Sequence, residues 1–386
     1  MATKNIVFFQ NSISLDDGGV PRVTDIISKE LSSRGCVCYF IYIEGDNVGC
    51  SSELKLKVNL KLSFSVNEQL IRSFIELNKI DLIVCQNTYS SFFLKFFKKL
   101  RLKSPSIQLV CFLHASPDYW KAYQLNSANS SNKEKIKTVI KNLIYPFYNP
   151  YVKSTSTLYK LCDKFFLLSN SFKNSFTELY VDDAKPDKIF TLANPLTFKE
   201  YITKDELHKK DNIVVIISRL KEDQKKISLA LKIWQKLPRN LSEDWKLLII
   251  GAGPDENSYK DYVKLNNLRN IIFLGQQSNV IEFYKSASIF MMTSIWEGLP
   301  MSLLEAQQNG VVPIAFDNFS AIYDIIDNDV NGYIISNNDI DVFAESLGEL
   351  MLNRSKRQEM ALNAVKSSER FHVSKIADEW ENKLSI

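Results

Sequence analysis

Residues 288–310, SIFMMTSIWEGLPMSLLEAQQNG, run a short apolar segment into a Glu-Gly turn and then into a helix-forming segment. Apolar residues without polar alternation read as a strand buried on both faces. Glu297 ends the turn, Gly298 permits a tight backbone, Pro300 can open a helix, and Gly310 can close it. The same strand-then-helix habit extends outward in both directions. Upstream in the same series lie NIVVIIS (212–218), WKLLIIG (245–251) and NIIFLG (270–275); downstream lie VVPIAF (311–316) and GYIIS (332–336). An earlier series comprises NIVFFQ (5–10), VCYFIYI (37–43), DLIVCQ (81–86), IQLVCFLH (107–114) and KFFLLS (164–169). Parallel sheets covered by helices on both faces produce this pattern, and two successive series imply two doubly wound α/β domains.

Length agrees, because 386 residues exceed one core at roughly 150 residues per domain. Asn194-Pro195 favours a turn, and the charged stretch KEYITKDELHKKD (199–211) lacks apolar periodicity. The predicted domains are therefore 1–198 and 199–370, followed by a helical segment, 371–386. That segment spaces Ile376, Trp380 and Leu384 four apart on one face, which suits packing back on the amino-terminal domain. The polar patch NSANSSNK (126–133) reads as a loop.

Composition excludes several classes. The net charge is only +4, unlike a strongly basic nucleic-acid binder, but it is unevenly divided. Residues 1–198 hold 25 basic and 17 acidic side chains (+8), and 199–386 hold 23 and 27 (−4). Six cysteines, at 36, 38, 50, 85, 111 and 162, are too sparse for a disulfide scaffold and read as free thiols. No stretch reaches the 18 or so apolar residues of a membrane span, and MATKNIVFFQ moves directly into a strand with no signal-like leader. The expected location is the cytoplasm, at most peripheral on the inner face of the membrane.

Three places can carry chemistry. Gly18-Gly19 follows the first strand and precedes a helix expected near Pro21; it can admit ligand atoms to the backbone or simply make the turn, and it is no dinucleotide fingerprint. ISRLKEDQKK (217–226) puts Arg219 past the carboxyl end of a buried strand, with Lys225 six residues later near a helix start. That edge of an α/β sheet is where ligands bind, and two cations beside a helix N-terminus suit a diphosphate. Lys221 and Lys226 read as solvated. Glu297 and Glu305, eight residues apart, are expected on one helical side about 12 Å apart by helical rise. That is too far for paired acid/base work on one glycosidic bond but matches an elongated polar ligand.

Taken together, Glu297 and Glu305, Arg219 and Lys225, the GAG of 251–253 and the Gly-Gly loop resemble family-4 retaining glycosyltransferases of GT-B fold, over essentially the whole chain. The resemblance implies two Rossmann-like domains facing a cleft, the first for acceptor and the second for a nucleotide sugar. It implies that Glu297 contacts the donor sugar, Glu305 the ribose, and Arg219 and Lys225 the diphosphate. The backbone of Gly298, Leu299, Pro300, Met301 and Ser302 would offer N–H groups to sugar and phosphate. The loops after Gly251, Gly253 and Gly275 would line the base pocket, with Gly18 and Gly19 also at the donor. His114 matches a histidine presented to sugar or acceptor, with Asp118 shaping the same loop; read alone, His114 is equally a structural residue. Glu297, His114, Arg219 and Lys225 are thus the implied catalytic set.

This resemblance implies retaining transfer of a hexose or N-acetylhexosamine from a UDP-sugar to a lipid-linked oligosaccharide, in surface polysaccharide, capsule or lipopolysaccharide biosynthesis. The alternatives are a GT-B nucleotide-sugar epimerase and a non-catalytic nucleotide-sugar-binding partner of a transferase. Two departures touch the donor loop: Ser218 and Lys226 stand where many members have glycine.

No cofactor or metal is expected. His208 and His372 lie apart from His114; DNDVNG (327–332) starts like a calcium loop but has Asn338 at its twelfth position; Asp339 and Asp341 read as caps of a helix. The tract SSFFLKFFKKLRLKS (90–104) interleaves Phe92, Phe93, Phe96 and Phe97 with Lys95, Lys98, Lys99, Arg101 and Lys103. It reads either as an interfacial helix on an anionic inner membrane or as a core helix with a basic edge. KIKTVIKNLIYPFYNPYVK (135–153) is a second such tract. No nucleic-acid module accompanies them.

Overall fold

The computed structural model describes residues 4–45, 54–86, 90–119, 150–181 and 186–386. The polar patch 126–133, Cys50 and most of the tract 135–153 lie outside them. The chain divides into two compact units. The first holds the described residues through Asp118, those from Pro150 to Thr197, and Val373–Ile386; the second holds Tyr119 and Phe198–His372.

In the first unit seven strands, β1 (Asn5–Ser12), β2 (Val37–Glu44), β3 (Lys55–Lys57), β4 (Leu82–Cys85), β5 (Gln108–Leu113), β6 (Lys164–Leu167) and β7 (Ile189–Thr191), form a sheet ordered β3-β2-β1-β4-β5-β6-β7. All pairs are parallel. The order reverses beside β1, so the carboxyl ends of β1 and β4 bound the crevice where open α/β sheets bind ligands. β3 and β7 were not anticipated: at three residues each, with lysine at two of the three β3 positions, they carry no apolar run.

Strand alternation puts successive side chains on opposite faces. Phe8 meets Phe40 and Trp380, while Phe9 meets Phe93, Phe96 and Phe97. α1 (Gly19–Ser33) covers the first face with Ile27 and Leu31, alongside the helix Val373–Leu384, whose Ile376, Trp380 and Leu384 are all buried there. Trp380 stacks on Phe112 at 4.9 Å between ring centroids, and removing such an anchor costs about 3–5 kcal/mol. Arg34 at the end of α1 fixes the same helix through Asp378 (2.6 Å) and Glu381 (2.9 Å).

The opposite face is covered by α2 (Phe64–Leu77), α3 (Ser91–Lys103), α4 (Pro150–Leu161) and α5 (Phe172–Tyr180). Here the interfacial reading of 90–104 is corrected. Phe93, Phe96, Phe97 and Leu100, the apolar stripe of α3, are at most 1% exposed because they fill the space over Phe9. The cations form the outer edge: Lys99 pairs with Glu68 at 2.6 Å, Lys95 lies over the Phe64 ring, and Arg101 ties Asp163 to backbone carbonyls. Among the described residues no helix is long and apolar enough to cross a membrane.

The second unit has six parallel strands, β8 (Ile213–Ile217), β9 (Lys246–Ile250), β10 (Ile271–Gly275), β11 (Ile289–Met292), β12 (Val312–Phe316) and β13 (Tyr333–Ile335), ordered β10-β9-β8-β11-β12-β13. Its order reverses between β8 and β11. The helices that matter below are α6 (Glu222–Lys225), α7 (Ile227–Lys236), α8 (Ile281–Ser286) and α9 (Met301–Gln308). Asp339 caps the helix Ile340–Leu352 by accepting from the N–H groups of Asp341 and Val342, and Asp327–Gly332 closes as a tight turn. Both features thus serve backbone groups. No group of three His, Cys, Asp or Glu among the described residues is placed to hold one.

Candidate active site

In the second unit the loops after β8 and β11 are stitched together across the switch point. The Thr293 hydroxyl donates to the Lys225 carbonyl at 2.9 Å, the Ile295 N–H to the Gln224 carbonyl at 2.9 Å, and the Gln224 amide to the Trp296 carbonyl at 3.1 Å. This places the Lys225 ammonium 2.5 Å from the Glu297 carboxylate, with side chains only 13% and 10% exposed. Two residues 72 apart in sequence thus form a nearly desolvated ion pair. Arg219, at the mouth of the same loop, is exposed, and no hydrogen bond or ion pair engages its guanidinium among the described residues.

Glycines make this packing possible. Gly251 has φ +134°, and a Cβ there would lie 1.9 Å from the Ser218 carbonyl oxygen. At Gly253 a Cβ would lie 2.1 Å from the Leu220 carbonyl oxygen. The β8 and β9 loops therefore run in backbone contact, zipped by Leu220 N–H to the Ala252 carbonyl at 2.9 Å. Gly275, also at positive φ, borders open space. Of the two departures from glycine, Lys226 adopts the left-handed conformation at φ 49°, ψ 45°, a geometry that costs a side-chain-bearing residue roughly 1 kcal/mol or more. Ser218 leaves its hydroxyl buried without a partner among the described residues.

The expected phosphate site at the start of α7 is modified. Glu222 occupies that end, accepting from the Ser228 hydroxyl at 2.5 Å and its N–H at 3.2 Å, so a carboxylate already serves the helix dipole there. The helical-rise estimate between Glu297 and Glu305 also fails. α9 starts at Met301, after Pro300, so Glu297 lies in the preceding loop and only Glu305 is helical. Gly298 and the buried Leu299 continue that loop, while the N–H groups of Met301 and Ser302 belong to the first turn of α9.

Tyr284 escaped the sequence reading. It is fully buried on α8, and its hydroxyl lies 3.0 Å from both Glu305 Oε2 and the Ser302 carbonyl. Lys210 holds α8 by donating to the carbonyls of Tyr284 and Ala287, each at 2.8 Å. A tyrosine in a short helix carries no local sign of such a contact.

A second polar site lies in the first unit. Its pocket, of about 290 Å³, is bounded by the ends of β1, β4 and β5 and by the start of α1. Gly18, at φ +119°, directs the chain into α1, which begins at Gly19, two residues before the expected Pro21. His114 lies on the pocket wall with its Nε2 2.6 Å from Gln86 Oε1, and burial pushes its pKa down to about 4. Gln10, Gln86 and Asp17 also line the pocket and were not anticipated. Asp118 holds the Ser116 hydroxyl, consistent with shaping the loop. His208 and His372 belong to the second unit and join neither site.

Residues 197–367 match the family model described as "Glycosyl transferases group 1". The chain is 26% identical over 391 residues to an uncharacterized glycosyltransferase of Haemophilus influenzae, covering 99% of this chain and all of that one. These matches support a group 1 glycosyltransferase. A GalNAc-alpha-(1->4)-GalNAc-alpha-(1->3)-diNAcBac-PP-undecaprenol alpha-1,4-N-acetyl-D-galactosaminyltransferase of Campylobacter jejuni is 29% identical over 249 residues, 64% of this chain and 63% of that one. Among solved structures, Anabaena Alr3699/HepE in complex with UDP-glucose superposes with a TM-score of 0.77 at 15% identity, covering 99% of both chains. The two parallel-sheet domains are those of the GT-B glycosyltransferases.

Proposed function

We propose that the protein is a retaining, metal-independent glycosyltransferase that moves a hexose or N-acetylhexosamine from a UDP-sugar to a lipid-linked oligosaccharide in surface polysaccharide or lipopolysaccharide biosynthesis. The observation that carries this reading is the desolvated Lys225–Glu297 pair beside the exposed Arg219, at the switch point of the domain that matches the group 1 family. Relatives named for transfer to diphosphoundecaprenol-linked sugars, and neighbours solved with UDP, support the substrate classes.

In the reaction the acceptor hydroxyl forms a bond to the sugar's anomeric carbon on the face from which UDP departs. The anomeric carbon–phosphate oxygen bond breaks, and the acceptor proton passes to a leaving-phosphate oxygen. Arg219 supplies mobile positive charge to the diphosphate, and Lys225, held by Glu297, a fixed one; charge developing on the leaving group is what such donors stabilise. Glu297 takes donor-sugar hydroxyls, and Glu305, set by Tyr284, takes the ribose. The lipid acceptor brings the enzyme to a membrane surface, where the exposed Lys95, Lys98 and Lys103 edge of α3 acts by charge, without insertion of its phenylalanines.

The test is UDP release from UDP-galactose, UDP-glucose and UDP-N-acetylglucosamine, with and without an undecaprenyl-diphosphate-linked sugar. Acceptor-dependent release that Arg219→Ala lowers on the order of 10²–10³-fold is the expected result. Release or isomerisation indifferent to acceptor assigns an epimerase instead, and binding without turnover a non-catalytic partner.

A further inference from the structure

The pocket of the first unit contains an arrangement set by strand register. Phe9 pairs with Cys85 and Cys85 with Cys111. Continuing each ladder by one residue puts Gln10 opposite Gln86 and Gln86 opposite Phe112. His114 follows Phe112 by two residues and so lies on the same side of the sheet. Gln10 and Gln86 are only 2% and 3% exposed, yet Gln10 Oε1 and Gln86 Nε2 have no hydrogen-bond partner among the described residues. An orphan acceptor and an orphan donor on facing strands suit one ligand hydroxyl, which can donate to the first and accept from the second. Buried amide atoms left unpaired are costly, so an occupant that satisfies them is favoured.

The contact between Gln86 and His114 bears on the tautomer of the ring. Gln86 Oε1 carries no hydrogen, so the 2.6 Å contact requires the proton on His114 Nε2. Nδ1 of a neutral ring is then an acceptor. The opposite amide orientation would turn the Gln86 N–H group to His114 and leave Gln86 Oε1, like Gln10 Oε1, a buried acceptor with no donor among the described residues. The carboxylates around the ring are engaged by hydroxyls: Asp17 by Ser12 and Asp118 by Ser116. Among the described residues no lysine or arginine lines this pocket, and the Phe112 ring stacks on the imidazole at 5.8 Å.

We propose that Gln86 is a positioning residue that fixes His114 as the neutral Nε2–H imidazole, so that Nδ1 accepts a hydrogen bond from a substrate hydroxyl. The choice of a sugar hydroxyl as the occupant rests on the glycosyltransferase reading; the state of the ring does not. Glutamine suits this task because it orients the ring without charging it. A glutamate in its place would orient the ring equally and stabilise the imidazolium, which turns an acceptor into a donor.

The experiment uses the full chain labelled with ¹⁵N-histidine, in which His114 is assigned by the signal lost in His114→Asn. The wild type at pH 7 should show a neutral ring protonated at Nε2. Gln86→Glu should raise the His114 pKa by about 2 units, and Gln86→Met, which keeps the volume, should mix the tautomers. A wild-type ring protonated at Nδ1 or doubly protonated at pH 7 overturns the proposal, as does a tautomer unmoved in Gln86→Met. UDP release from the donor that the wild type turns over adds a second readout. Gln86→Glu should shift the acidic limb of the rate profile upward with the ring's pKa, whereas a merely structural role would lower the rate equally at all pH. Should no donor turn over, the glycosyltransferase reading fails while the spectra still decide Gln86.

Discussion

Lys225→Met isolates the energetics of the site. Methionine nearly keeps the length and apolar stem of lysine but removes the charge 2.5 Å from Glu297, whose side chain is 10% exposed. The carboxylate is then left without its partner on a loop whose backbone the bonds from Thr293, Gln224 and Ile295 hold in place. Breaking a buried pair by removing one partner costs about 3–5 kcal/mol. For a domain of this size each kcal/mol moves Tm by about 2–4 °C, so the expected fall is about 6–20 °C. Urea and thermal unfolding of Lys225→Met, Glu297→Gln and the double variant form a cycle. The double variant should recover on the order of 2 kcal/mol of the sum of the single losses, because neither charge is then left alone. A loss below about 1 kcal/mol in Lys225→Met, with additive single effects, would refute the desolvated pair and with it the rigid loop.

Gly251→Ala should cost more than about 3 kcal/mol or prevent folding of the second unit, since its Cβ meets the Ser218 carbonyl; Gly275→Ala, facing open space, should cost only about 1 kcal/mol, and equal losses in urea unfolding would contradict the backbone contact. Lys226→Gly should be neutral or stabilising by up to about 1 kcal/mol, by relief of the left-handed strain; a loss above that in the same assay would show that the Lys226 side chain contributes more than its backbone costs. The unfolded His114 ring binds a proton below about pH 6.5 and the folded ring only below about pH 4, so the unfolded state holds more protons in between. Stability should therefore rise by about 3 kcal/mol from pH 4 to 6.5 on this account, and His114→Asn should flatten that rise in pH-dependent unfolding. Tyr284→Phe should raise the donor KM several-fold with kcat little changed, because it releases one oxygen of Glu305; steady-state kinetics showing a fall in kcat alone would remove Tyr284 from ribose binding.

Much of the fold was legible because parallel strands buried on both faces write themselves as apolar runs. NIVFFQ, IQLVCFLH and SIFMMT all fall on strands. β3 and β7 did not register: three residues at a sheet edge need little apolar surface. The α3 stripe was read correctly as one face, yet periodicity records only that a face is apolar, and a core and a membrane satisfy it alike. Likewise the interval between Glu297 and Glu305 stood out, but treating it as one helix gave a separation that does not hold once α9 starts at Met301. Tyr284, Gln10 and Gln86 carried no signal, since each is a single polar residue in or beside an apolar segment.

The sequence by itself determined two doubly wound units, and it marked a turn at Asn194-Pro195 between them and a group of charged residues whose arrangement resembles that of glycosyltransferases. These are local properties, fixed by alternation, turn chemistry and short intervals. Only the tertiary structure decided which residues meet. Strand order brings Lys225 to Glu297 and Gln86 to His114, and helix docking puts Trp380 on Phe112. It also turned Phe93, Phe96 and Phe97 of α3 inward, where the chain's own sheet removes their apolar surface from water.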